Sequence, residues 1–449
     1  MTDQGFVYAT AGVMAALFAF QVLTKKFDPF APVWMFLVGY VQVYVIQAIT
    51  LREWALNVRG EDLVAAANLR ALWSLIWFLT IYYSPAGRLI SSFLPRPPAG
   101  WSVGAAVGLS PLIIAWGAFC AYSVAAYGWG GDASAEQMLF TSFPFLMMVG
   151  SVLLIVTGMK RESPRPIITA IGIVVAVLYT LIWMFNGKRS HSMMAVMAAV
   201  CAVYVSKLKR PSWVVLFATA CAGSMSVAVA INWRNNDNYD RSISGFVQYL
   251  GDFDANWVLK SLNVDNDDED LDPMKVQSFE TLEWGGFLLM LDTVPEKSGF
   301  DYGANYIRLV STFIPRIIWP EKPLYGRDKW VSAWVAGSEF KRNEEFTGPS
   351  IGILGATQLN GGAVGTLVVL AALGVFLRAA YEYFRKHESA PWVQAWWALS
   401  YFNAWFMVVA DDPCVWFYYN YGFNCLPILA VLFVGNKFVP HTSFTPLPV

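Results

Sequence analysis

The residues of this chain best suited to chemistry on an anion lie in one short stretch, Phe300 to Pro323, FDYGANYIRLVSTFIPRIIWPEKP. It sets Arg316 and Lys322 among prolines, a tryptophan and a long apolar run. Arginine grips phosphate oxygens through a planar two-pronged fork, and lysine adds a compact point charge. Pro315, Pro320 and Pro323 fix local backbone angles and rule out a continuous helix, so the cations are expected to sit in a defined place. The stretch is too apolar for a solvated loop and too often broken by proline to span a bilayer. Two readings fit it. One is a site for an anionic, lipid-linked group; the other is an interfacial anchor, with Trp319 at headgroup level and Arg316 on lipid phosphate.

The elements that must position these residues are set by composition. Hydrophobic residues make up 56% of the 449 and charged residues 14%, against about 25% charged in a soluble chain, and the mean hydropathy is +0.45. This predicts an all-α, polytopic membrane helix bundle. About eleven apolar runs approach the length a bilayer needs: Phe6–Leu23, Ala31–Thr50, Leu63–Tyr83, Val103–Tyr127, Met138–Met159, Ile167–Phe185, Ser190–Ser206, Trp213–Ile231, Gly361–Leu377, Trp392–Val409 and Val415–Val434. The first lacks a basic leader and a small-residue cleavage site and reads as a retained helix. A net charge of −1 leaves no basic footprint for nucleic acid. The five cysteines are scattered without metal-ligand spacing and read as small buried thiols.

Orientation follows from Lys and Arg. With the N-terminus outside, the inner loops hold 14 of these cations and the short outer loops only four, namely Arg52, Arg59, Lys188 and Arg189. Three regions are then expected: an N-terminal transmembrane bundle of about eight helices (1–231), one long outer loop (232–349), and about three C-terminal helices (350–449). In that loop the acidic run Asp265–Asp272 reads as a solvated turn, since it lacks the glycine and the closing glutamate of a calcium loop. Phe287–Leu291 and Tyr306–Trp319 are apolar enough to lie on the bilayer or to pack on the helices, and this half is expected to form a lid of short interfacial helices close to the membrane surface.

Other candidates lie at outer helix ends. Lys188, Arg189 and His191, in GKRSHS, sit against the positive-inside trend, although a tight turn also needs polar residues. Arg70 falls inside the third apolar run, where an arginine costs at least ~2.5–3.5 kcal/mol on insertion scales. It must face the bundle interior or a wet cavity, or snorkel to the interface. Asp411 and Asp412 end the tenth run and offer a base, sugar contacts, or only a polar helix end. Asp301, Glu283 and Glu339 are further candidate bases with nothing to rank them. Aromatic residues crowd the same face, where sugar stacking and an interfacial belt both use them.

The pattern Tyr302-Gly303, Ile314-Pro315-Arg316, Trp319-Pro320 and Lys322-Pro323 resembles the long outer loop of bacterial oligosaccharide repeat-unit polymerases of the O-antigen polymerase type. Downstream, GPSIGILGATQLNGGAVG (Gly348 to Gly365), with Asn360-Gly361 at a helix entry, is similar to that family's second signature; Ala356 stands where the family often has an acid. The resemblance covers Phe300 to Gly374. It implies a membrane glycosyltransferase of the bacterial inner membrane, N-terminus periplasmic and C-terminus cytoplasmic. The enzyme would join undecaprenyl-pyrophosphate-linked repeat units into O-antigen or exopolysaccharide. Arg316, Lys322, Arg189 and His191 would serve the chemistry; Arg70, Lys188, Tyr302, Trp319, Tyr325, Asn360 and Asp411 would hold substrate. The activated sugar-pyrophosphate bond requires no metal or other cofactor. Membrane lipids, a flippase and a chain-length regulator are the implied partners. A ligase moving finished glycan to another acceptor and a non-catalytic glycan or lipid transporter are the alternatives; no inverted repeat or pair of broken helices is visible in the sequence to favour the latter.

Overall fold

Long apolar stretches leave backbone N–H and C=O groups no water to bond, and within one segment only a helix satisfies them. The computed structural model accordingly contains only helices among its described residues, which are 2–97, 101–127, 143–160, 163–236, 238–253, 283–304, 306, 318–319, 351–409 and 425–438. In chain order they are α1 (Asp3–Leu23), α2 (Pro32–Thr50), α3 (Arg52–Arg59), α4 (Glu61–Tyr83), α5 (Ala86–Phe93), α6 (Val103–Tyr127), α7 (Leu146–Gly158) and α8 (Pro166–Phe185). There follow α9 (Arg189–Ser206), α10 (Trp213–Asn235), α11 (Ile243–Gly251), α12 (Glu283–Thr293), α13 (Gly352–Lys386), α14 (Pro391–Ser400), α15 (Asn403–Val409) and α16 (Cys425–Phe438).

Seven of these, α1, α2, α4, α6, α8, α10 and α13, are long and apolar enough to cross a membrane, and α7 and α16 are shorter apolar helices. The chain is a helical membrane protein. Every one of the eleven apolar runs falls at least partly on helix, but the run Trp392–Val409 is divided between α14 and α15.

Two spans depart from regular α geometry. Gln42–Gln47 within α2 is π-helical, an insertion that often marks functional positions. α13 is interrupted at Gly361 (φ 176°, ψ 25°) and Gly362 (φ 61°, ψ −137°), so nine residues stand apart from the long remainder. Neither interruption was expected from the sequence, where the Gly-rich patch read as the entry to a helix.

The described residues form two compact units. The first draws on Met1–Leu94, Asp270–Tyr383 and Asn403–Tyr419. Here α2 lies against α15, close enough for the Trp405 indole to donate to Gln42 at 2.9 Å. α12 and the start of α13 run side by side in the same direction. A Cβ on Gly352 would stand 3.4 Å from that of Glu283, and farther along Gln358 Nε2 donates to the Val294 carbonyl at 2.6 Å. Leu289, Met290, Val294, Ile351, Ala356 and Leu359 close the core between them. α12 thus packs on other helices, one of the two placements open to the apolar stretch Phe287–Leu291, and is buried rather than interfacial.

A buried polar chain ties α12 to the first spans. Gln47 donates to the Glu283 carboxylate at 2.5 Å and accepts from the Trp284 backbone N–H at 3.0 Å. The Trp284 indole donates to Asn68, and the Leu354 N–H donates to the Tyr44 hydroxyl. These contacts satisfy orphan N–H groups at the starts of two helices.

The second unit draws on Pro95–Glu269, Phe384–Phe402 and Asn420–Val449. α7 packs between α6 and α8, with the Ser151 hydroxyl donating to the Gly172 carbonyl at 2.7 Å. α9 and α10 continue the layer, and α11 seats Phe246 and Tyr249 against Met184, Val229 and Trp233.

Candidate functional site

In the second unit, a glycine turn gathers the cations. Gly187 ends α8 at φ +65°, a left-handed conformation that glycine adopts without strain. The N–H groups of Asn186, Gly187 and Lys188 close onto the carbonyls of Ile182, Met184 and Trp183, satisfying the helix end. α9 then starts at once, leaving Lys188 and Arg189 at the junction. The chain crosses back along α9 and returns along α10, so the end of α10 meets the same junction. There the Arg234 side chain lies within 2.9–3.1 Å of where a Cβ on Gly187 would stand. Arg241 donates to the carbonyls of Trp233 and Arg234, and its guanidinium stacks 5.1 Å above the Trp233 ring. Its charge thereby complements the C-terminal end of α10.

Lys188 is half-buried and, among the described residues, has no carboxylate partner. Burial, and then the Arg234 charge, push its ammonium below the ordinary lysine value. His191 lies one turn into α9, sandwiched between Phe145 (centroids 4.8 Å apart) and Trp183 (4.5 Å), with Nδ1 3.1 Å from the Ser190 hydroxyl. Lys188, Arg189 and His191 thus all lie at this junction. Arg234 and Arg241 were missed, although the parity of the crossings places them on the same side.

In the first unit, Arg70 is the tenth residue of α4, about 14 Å from its start at 1.5 Å per residue. It does not snorkel. Nη1 donates to Gln358 at 2.7 Å and Nη2 to Thr366 at 3.2 Å, one on each side of the α13 interruption. The Trp73 ring lies 5.6 Å from its guanidinium carbon. Thr357 and Thr366 hydroxyls pair at 2.9 Å across the break, and the Asp301 N–H donates to the Leu359 carbonyl at 2.8 Å. Asn360 Nδ2 donates to the Ala356 carbonyl at 2.7 Å.

Tyr302 follows directly, exposed and at φ +48°, in ring contact with Phe300, whose own ring packs against Gly362. Thus Arg70, Asn360 and the Tyr302 turn converge on the broken helix, while Gln358 and Thr366 had no sequence signal. Trp319 is exposed. Arg316, Lys322, Tyr325 and Asp411 lie outside the described residues, as do Asp412 and Glu339. Among the described residues no group of three or more His, Cys, Asp or Glu is placed to hold a metal ion. No known protein family, curated protein or solved structure matches this chain.

Proposed function

We propose that this protein polymerises undecaprenyl-pyrophosphate-linked oligosaccharide repeat units at the outer face of a bacterial inner membrane. About eleven spans would place the N-terminus in the periplasm and the C-terminus in the cytoplasm. The observation that carries this reading is the convergence of Lys188, Arg189 and Arg234 at one junction of apolar helices. A lipid-linked pyrophosphate would bring to this junction both an anion for the cations and an apolar tail for the helices around them. Arg316 and Lys322, in the segment that resembles the polymerase loop, add to the same requirement.

In the reaction, an acceptor hydroxyl at the non-reducing end of one repeat unit attacks the anomeric carbon of the growing glycan. The new C–O bond forms as the bond to pyrophosphate breaks, and its electron pair leaves with undecaprenyl pyrophosphate. The hydroxyl proton passes to a base. Cations that meet the leaving pyrophosphate stabilise the charge that develops there. A flippase would supply the repeat units, and a chain-length regulator would act on the product.

The test is a polymer ladder from cells expressing variants at matched levels. Arg234→Gln and Arg189→Gln are expected to accumulate single lipid-linked repeat units, and Arg316→Lys likewise, because lysine lacks the planar fork. Normal long-chain polymer from all three would defeat the proposal.

A second reading, a non-catalytic transporter, is favoured by the interrupted α13 and the π-helical stretch in α2, since broken helices line substrate sites in transporters. Purified protein in nanodiscs separates the two: joining of lipid-linked repeat units there supports the enzyme, and transport without joining in vesicles supports the transporter.

A further inference from the structure

A helix on the surface of a soluble fold turns its apolar side chains to the core and its polar ones to water. α5 (Ala86–Phe93) does the reverse. At about 100° per residue its side chains fall on two arcs. Leu89, Ile90 and Phe93 lie on one, and Gly87, Arg88, Ser91 and Ser92 on the other. Gly87 and Ser91, from the polar arc, are buried. Phe93, by contrast, is 79% exposed, Leu89 60% and Ile90 46%, and Leu94 just after the helix is exposed as well.

Contact with the far part of α13 fixes this orientation. A Cβ on Gly87 would stand 2.5 Å from that of Arg378 and 3.0 Å from the Val375 carbonyl, so the two helices meet where no side chain fits between them. Arg378 pairs with Glu382 at 2.5 Å, and Arg88 Nε reaches the same carboxylate at 3.1 Å. The Arg378 guanidinium also lies over the rings of Tyr82 and Tyr381, at 5.4 and 5.7 Å. α5 cannot roll to bury its apolar arc without breaking these contacts. Leaving side chains of that size in water forgoes about 1.5–3 kcal/mol each. The neighbouring chain indicates what covers them instead. Only Ser84 and Pro85 separate α5 from α4, which is long and apolar enough to cross a membrane and carries exposed Ile76 and Tyr83 toward that end.

We infer that α5 is an interfacial helix whose apolar arc rests on phospholipid, at the headgroup–acyl boundary of the leaflet where α4 ends. Helices of this kind sink about 5–10 Å into that boundary. Arg88, on the opposite arc and exposed, is left at the level of water and headgroup phosphate. α5 thereby ties the ends of α4 and α13 to the membrane surface, and these are the two helices that Arg70 joins at the interruption. Contacts of α4, α5 and α13 alone carry the assignment, so it stands apart from the polymerase reading.

The experiment uses the full chain in phospholipid nanodiscs, carrying a bimane fluorophore at Phe93→Cys or at Leu89→Cys. Labelled wild type gives the background from native thiols, and Ser92→Cys, on the polar arc, is the comparison. Bimane at positions 93 and 89 is expected to be quenched severalfold more by phospholipid bearing a nitroxide near the top of its acyl chain than by iodide in the water. The order should reverse at position 92. Iodide quenching at 93 and 89 as strong as at 92 would place the arc in water and overturn the inference. Shielding of 93 and 89 from both quenchers would mean that protein, from this chain or a second copy, covers the arc, and would overturn it equally. Should Phe93→Cys fail to fold, Leu89→Cys decides.

Discussion

Lys188 shows how a residue can serve a site at the expense of the fold. Its folded-state value lies below the ordinary lysine value of about 10.4, so folding disfavours its charged form. For a base depressed in this way, the cost to stability is fully present below the folded value. It is relieved as pH rises through that value toward the ordinary one. Lys188→Met is therefore expected to hold or raise the melting temperature at neutral pH while abolishing polymer. The gap in melting temperature between the two proteins should narrow as pH approaches 10.4, the lysine range of about that value in solution. A melting temperature that falls on substitution would mark Lys188 as a structural contact instead. Arg70 differs in having side-chain partners. Two of its donors are engaged by side chains on either side of a helix break.

At the scale of the element, α13 is held open by specific residues rather than by glycine content alone. Gly361 and Gly362 are neighbours, yet they differ in what they tolerate. Gly362 has φ +61° with ψ −137°, a region closed to L side chains, and the Phe300 ring stands against it. Gly362→Ala is expected to destabilise the protein by about 2–4 kcal/mol, from backbone strain plus crowding. Thermal or denaturant unfolding in detergent measures this, with Gly361→Ala as the unstrained comparison; equal stability of the two would contradict the assigned geometry. α12 is the other element whose placement matters. Its first residue, Glu283, is a buried carboxylate beside Gln47, in the π-helical part of α2. A buried acidic side chain is thereby tied to an irregular backbone.

For the whole molecule, the testable quantity is topology. Fourteen Lys and Arg in the expected inner loops against four in the short outer loops lead to the expectation of an N-terminus outside and a C-terminus inside. Reporter fusions at Lys160 and Lys386 are expected to behave as cytoplasmic, and one near Asp268 as periplasmic. A cytoplasmic signal near Asp268 would invert the arrangement and remove the outer-face polymerase with it.

The helical class was legible from sequence because a bilayer leaves an apolar segment no alternative; among the described residues seven helices are long and apolar enough to span, against about eleven expected. Arg70 was legible for the same reason, as a charge too costly to lie idle in a span. Lys188 and Arg189 were visible because they defy the charge bias of the loops. The sequence also determined that α8, α9 and α10 alternate direction, which holds Arg234 to the same side as Lys188. Only the tertiary structure decided that Gly187 lets the Arg234 side chain approach so closely, since contact between ends of different helices depends on packing. It alone decided the break in α13: Gly361 and Gly362 permit the interruption, but Arg70, Gln358, Thr366 and Phe300 hold it open, and they come from distant parts of the chain. The stretch Phe287–Leu291 was apolar either way. Whether such a face lies on lipid or under other helices is set by what packs against it, and here the start of α13 covers it.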